Sequence, residues 1–143
     1  MTAAVKTVHT PDLSVKRCHP LFEAAVPAGF PSPAADYEQE KLDLNKLLVA
    51  NPPATFFARV TGDSMTGAGI HHGDLLVVDR SLEPQDKNII IAVVNGELTV
   101  KRIRMKGKKI TLEPENHGYS PLEITEDTAF EVWGVVTNVI HKL

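Results

Sequence analysis

One stretch, NIIIAVV-NG-ELTVKRI (residues 88–103), restricts the fold more than any other part of the chain. Asn95-Gly96 between two β-rich runs is the favoured two-residue hairpin turn, because both turn positions need positive φ and these residue types tolerate it. So short a loop leaves the pairing no freedom: Val94 faces Glu97, Ala92 faces Thr99 and Ile90 faces Lys101. Strand alternation then puts Thr99, Lys101 and Ile103 on one face, and Arg102 and Arg104 on the other as surface charge. The expected result is a β-ribbon with one lysine set among Ile90, Ala92 and Ile103.

The surrounding sequence extends this ribbon into a sheet. TFFARVTG (55–62) alternates large apolar and polar residues, and DLLVVD (74–79) is the short apolar run of a buried strand. KKITLEP (108–114) and AFEVWGVVTNVI (129–140) supply two more strands. The expected fold class is mainly β, a compact curved sheet with one helix. Ser32-Pro33 predicts the helix start, an N-cap serine with proline at the first helical position. Leu44, Leu47 and Leu48 follow at helical spacing, with Tyr37 upstream, and Asn51-Pro52-Pro53 ends the helix. Residues 1–28 carry Pro11, Pro20 and Pro27 without a sustained period, which reads as a mobile arm with room for one short pairing segment.

Gross composition narrows the function. A chain of 143 residues fits one domain plus an arm. Its net charge of −3 argues against a general nucleic-acid or membrane-surface binder, and no direct specific DNA binding is expected. Cys18 is the single cysteine, so there is neither a disulfide framework nor a thiolate metal site. The apolar run Ile89–Val94 is far too short to cross a bilayer, and no signal-peptide core begins the chain. A cytoplasmic location is the expectation, with no membrane, metal or cofactor.

Two side chains have chemistry to offer. Ser64 lies in TGDSMTGAGI (61–70), just after a strand, where Gly62, Gly67 and Gly69 permit a tight turn whose amides can face an oxyanion. A serine hydroxyl needs a base to become a nucleophile, and a GDS segment more often marks a plain turn. Lys101 is a candidate base, because an apolar surround disfavours its charged form. The alternative is a lysine snorkelling to solvent at a sheet edge. His71-His72 are adjacent and lack a third ligand at metal spacing; a Ser-His-Asp arrangement using His117 stays open, although no nucleophile-elbow pattern surrounds Ser64.

As an ordered set, PLFEAAVPAGFPSPAADY (20–37), LDLNKLL (42–48), GDSM (62–65), GDLLVVD (73–79), NGELTVKR (95–102) and YSPLEI (119–124) closely resemble the self-cleaving serine peptidases of the UmuD/LexA family. The resemblance covers roughly residues 20–140. It implies a Ser64 nucleophile and a Lys101 general base, with Gly62, Asp63 and Met65 shaping the oxyanion turn. The implied scissile bond is Ala28-Gly29, preceded by Val26 and Pro27, which divides the chain into an arm (1–28) and a peptidase domain (29–143). This Ala-Gly is the repressor-like form; UmuD proteins can carry Cys-Gly there. Small residues in an extended stretch let the backbone approach a serine, and Pro27 favours that shape.

The family further implies a homodimer, with the C-terminal strand expected at its interface. It implies cleavage stimulated by the RecA nucleoprotein filament, and a processed form that joins UmuC in an error-prone translesion polymerase. A LexA-like repressor would need a helix-turn-helix domain, for which three prolines in a 28-residue arm leave no room. Signal peptidases share the serine-lysine pair but need a membrane anchor. An accessory subunit with an idle pair is the remaining alternative.

Overall fold

The computed structural model describes residues 3–22 and 38–143. The chain forms two compact units, residues 12–50 and residues 1–11 joined with 51–143. The smaller unit holds β2 (Cys18–Phe22), β3 (Glu38–Asp43) and α1 (Leu44–Leu48), with β2 and β3 antiparallel. The larger unit holds β1 (Ala4–His9), β4 (Thr55–Thr61), β5 (Leu75–Asp79), β6 (Ile89–Val94), β7 (Glu97–Lys106), β8 (Lys109–Glu113), β9 (Leu122–Ile124) and β10 (Phe130–Ile140).

Those eight strands form one sheet in the order β1-β4-β5-β10-β6-β7-β8-β9. Because Ala4 of β1 also pairs with Thr99 of β7, the order closes on itself from β1 to β7, leaving β8 and β9 as an extension. The β6–β7 hairpin sets the register of this barrel. Asn95 and Gly96 adopt φ of 49° and 85°, and the pairs Val94–Glu97, Ala92–Thr99 and Ile90–Lys101 form as the turn requires. The mainly β, curved fold expected from the sequence is the fold observed.

The core lies on both sides of β6. Ile91 joins one buried cluster with Phe56, Ala58, Val60, Leu76 and Val100. Ile90, Ala92 and Val94 point the other way, to Ile103, Leu112 and Val135. A strand buried on both faces explains why its sequence is an unbroken apolar run rather than an alternation.

Three expectations change. Glu38–Asp43 is a strand rather than the middle of a helix, and α1 is a single turn beginning at Leu44. The proposed start at Ser32-Pro33, with Tyr37, lies outside the described residues. Asp43 is the working N-cap, its carboxylate accepting the Asn45 amide at 3.0 Å. The antiparallel partner Cys18–Phe22, distant in sequence, outweighs the helix propensity of Glu38 to Lys41. Second, the arm holds more than the one short pairing segment it had room for: Ala4–His9 is an integral strand paired with β4 from Ala4–Thr61 to His9–Phe57, and Cys18–Phe22 pairs with β3. Third, β10 does not offer a free apolar strand, since β5 and β6 occupy its two edges. Its apolar residues Trp133, Val135 and Val136 are spent on the two core clusters.

Candidate active site

Ser64 sits where β4 leaves the barrel, in a turn held from several sides. Gly62 turns the chain with φ of 87°, a conformation open to glycine at no steric penalty. Its amide donates to His72 Nδ1 at 3.3 Å, so this N–H supports the turn rather than facing a substrate. Met65 and Ile70 are fully buried beneath the turn and anchor it in the core. Glu115 clamps it: its amide donates to the Ser64 carbonyl at 2.8 Å, and its carbonyl accepts from Gly67 N–H at 2.7 Å. A Cβ at Gly67 would stand 2.6 Å from that carbonyl oxygen, so only glycine fits.

Asp63 is the third tie. Its carbonyl accepts from Asn116 Nδ2 at 2.9 Å, and its carboxylate accepts from the Tyr119 hydroxyl. The Tyr119 hydrogen bond holds the Asp63 carboxyl below the usual carboxylate range. Among the described residues the amides of Ser64 and Met65 carry no hydrogen bond, in contrast to those of Gly62, Gly67 and Gly69.

The Lys101 ammonium lies 3.1 Å from Ser64 Oγ. Two further bonds hold it there, to Thr99 Oγ1 at 3.2 Å and to the Val100 carbonyl at 3.1 Å. Register produces this arrangement. Lys101 is opposite Ile90 on the face that carries the buried Ala92 and Ile103, and no carboxylate pairs with it among the described residues. Loss of hydration lowers its pKa from 10.5 to about 8. Arg102 and Arg104 face away, where they pair with Glu115 and with Asp86 and Glu113. A cleft of about 380 Å³ opens beside Lys101, with Val94, Leu112 and Leu122 as apolar walls and Thr99 and Ser120 as polar ones.

The histidines have other work. Asp74 is buried and accepts from the His71 amide at 2.7 Å while its other oxygen contacts His141 Nδ1. His117 lines a different cleft with Pro114 and Tyr119. Val26, Pro27, Ala28 and Gly29 lie outside the described residues. Sequence reasoning missed Glu115, Asn116 and His72, whose support acts through loop contacts that no periodicity reveals. It also missed Ala3, whose amide donates to Ser64 Oγ at 2.7 Å.

The lowered lysine pKa has a thermodynamic signature. Between pH 8 and 10.5 the unfolded chain binds a proton at Lys101 that the folded chain lacks, so stability rises with pH across that window. Below it, the folded state bears the full cost of the buried ammonium. Lys101→Met should therefore be more stable than the parent at pH 7, and its advantage should shrink between about pH 8 and 10.5. Denaturant midpoints of the two proteins across that range check this; a gap independent of pH would contradict it.

Comparison with known proteins identifies the family. The Peptidase S24-like family matches residues 20–137. Protein SamA of Salmonella typhimurium is 49% identical over 128 residues, covering 90% of this chain and 89% of SamA. Protein MucA of Escherichia coli is 42% identical over 120 residues, covering 83% and 82% of the two chains. The LexA repressor of Bordetella avium is 36% identical over 116 residues, 81% of this chain but 54% of the repressor. A match across most of the chain, together with relatives this similar over most of their length, makes the protein a member of the Peptidase S24-like family.

Proposed function

We propose that the protein is a UmuD-like serine peptidase that cleaves its own N-terminal arm at Ala28-Gly29, with Ser64 as nucleophile and Lys101 as general base. The observation that carries this reading is the 3.1 Å approach of Lys101 Nζ to Ser64 Oγ, made by a lysine whose pKa burial brings to about 8. An ordinary lysine near pKa 10.4 is almost wholly protonated at neutral pH and cannot take a proton; one near 8 is neutral in a useful fraction of molecules.

The chemistry follows from these groups. Neutral Lys101 takes the Ser64 proton as Oγ attacks the Ala28 carbonyl carbon. The amides of Ser64 and Met65 offer hydrogen bonds to the oxyanion that forms. The Lys101 ammonium then returns its proton to the Gly29 nitrogen as the peptide bond breaks. A water, deprotonated by Lys101, hydrolyses the acyl-serine; it leaves a carboxylate at Ala28 and restores the Ser64 hydroxyl. The apolar walls beside Lys101 suit Val26, and the small side chains of Ala28 and Gly29 allow close approach to the turn.

In this reading the RecA nucleoprotein filament stimulates cleavage, and residues 29–143 serve with UmuC as an accessory subunit of a translesion polymerase. The resemblance to UmuD supports that assignment, and a LexA repressor among the relatives supports the peptidase class. Among the described residues no helix is long and apolar enough to cross a membrane, which accords with the proposed cytoplasmic location. The test is pure protein without RecA at alkaline pH. Cleavage should accelerate about tenfold per pH unit below the lysine pKa, because the neutral fraction does. The product should begin at Gly29; Ser64→Ala, Lys101→Ala and Lys101→Arg should abolish the reaction and Arg102→Ala should retain it. A pH-independent rate, an active Lys101→Ala protein or a different first residue would each refute the assignment.

The protein is further proposed to be a homodimer before and after cleavage. With both edges of β10 paired, that strand can join an interface only through its faces or its exposed end at Ile140, which is 43% exposed. Sedimentation at micromolar concentration should give twice the chain mass, and a monomer would overturn the proposal.

A further inference from the structure

The chain's own backbone already stands against Ser64. Ala3 is 1% exposed and belongs to the buried cluster formed by Val60, Met65 and Val100. Its amide donates to Ser64 Oγ at 2.7 Å. Its carbonyl accepts from Thr99 Oγ1 at 3.2 Å and from the Val100 amide at 3.4 Å. Since Lys101 Nζ bonds both Ser64 Oγ and Thr99 Oγ1, the two backbone groups of one residue are tied to the groups around the nucleophile. Ala4 continues in extended pairing, with Thr61 on one side and Thr99 on the other.

This occupancy hinders the serine. A hydroxyl oxygen has two acceptor lone pairs, and Ala3 N–H takes one of them. When Lys101 is neutral and accepts the Oγ–H the other lone pair is free, so the obstacle is the Ala3 backbone itself, which stands 2.7 Å from Oγ where a scissile carbonyl would have to approach. The residues beside Ser64, Ala3 and Ala4, are small, as are Ala28 and Gly29. Beyond Val5 the hold weakens: the β1–β4 register slips between Val5 and Thr7, and Lys6 to His9 are exposed. Its release unpairs β1 from β4 and withdraws Ala3 from the buried cluster, so the grip at Ala3 and Ala4 sets the strength of the hold.

We infer that Ala3–Val5 is an internal competitor for the peptidase groove, an extended small-residue peptide that must leave before the scissile segment can reach Ser64. The groove accepts one strand between β4 and β7, so the two segments of the same arm exclude each other. This rests on the proposed self-cleavage, and it makes β1 a brake on the uninduced reaction.

The test compares full-length protein with a variant lacking residues 2–6 and with Ala3→Glu, which would place a carboxylate in the apolar cluster. Spontaneous alkaline cleavage should rise about tenfold in both, the change expected if the competitor fills the groove about nine-tenths of the time. A synthetic peptide of sequence AAVKTVH should slow the deletion variant again. Labelling of Ser64 by a fluorophosphonate, read by mass spectrometry, needs no cleavage and should accelerate in the same two variants. Unchanged cleavage and unchanged labelling in folded variants would overturn the inference. Faster labelling with no cleavage in any protein would instead refute the self-cleavage reading and leave the competitor in place.

Discussion

The contact between Lys101 and Ser64 depends on a turn that touches neither residue. Asn95 and Gly96 fix the β6–β7 register, and a slip of one residue would send Lys101 to the face now held by Arg102. On that face it would meet carboxylates and water; on its own face it meets Ile90, Ala92 and Ile103. A lysine with its pKa near 8 is thus a property of hairpin geometry. Three hydrogen bonds hold the ammonium, and the neutral amine that a base requires has only two N–H groups and one lone pair. Deprotonation frees the lone pair toward Ser64 while Thr99 and Val100 retain the nitrogen.

The serine is positioned by a second, independent set of forces. Met65 and Ile70 press the turn against the core, while Glu115 and Asn116 brace its outer side through backbone atoms. Both supports bear on a segment with glycine where side chains would collide, as the 2.6 Å approach at Gly67 shows. For the proposed reaction rigid placement matters, because proton transfer needs hydrogen-bond distance and an error of about 1 Å can cost about a hundredfold in rate. On the side facing β1 the turn meets the chain's own backbone, with the Ala3 amide on Ser64 Oγ.

Much of this was legible in the sequence. The hairpin and the shared face of Lys101, Ile90 and Ala92 follow from alternation and one turn type. Ser64 was legible as a residue of a glycine-rich turn, and the family pattern supplied the expectation of a nucleophile there. Illegible were contacts made at long sequence separation between residues of ordinary type. Glu115 reads as loop charge, His72 as half of an uninformative pair, and Ala3 as the start of a loose arm. Glu38–Asp43 reads as helix because its residues favour helix locally, and only the pairing with Cys18–Phe22 reverses that. Tertiary pairing decided each of these.

The central claim is that a desolvated lysine serves as the base for Ser64. The most direct measurement is a titration of the Lys101 side chain by carbon-13 NMR in the intact protein, with Ser64→Ala used to prevent cleavage during the experiment. The Cε resonance of Lys101 should titrate near pH 8, well apart from the other lysines. A midpoint for Lys101 close to 10.5 would contradict the account, since a lysine that stays charged at physiological pH has no capacity to activate the serine.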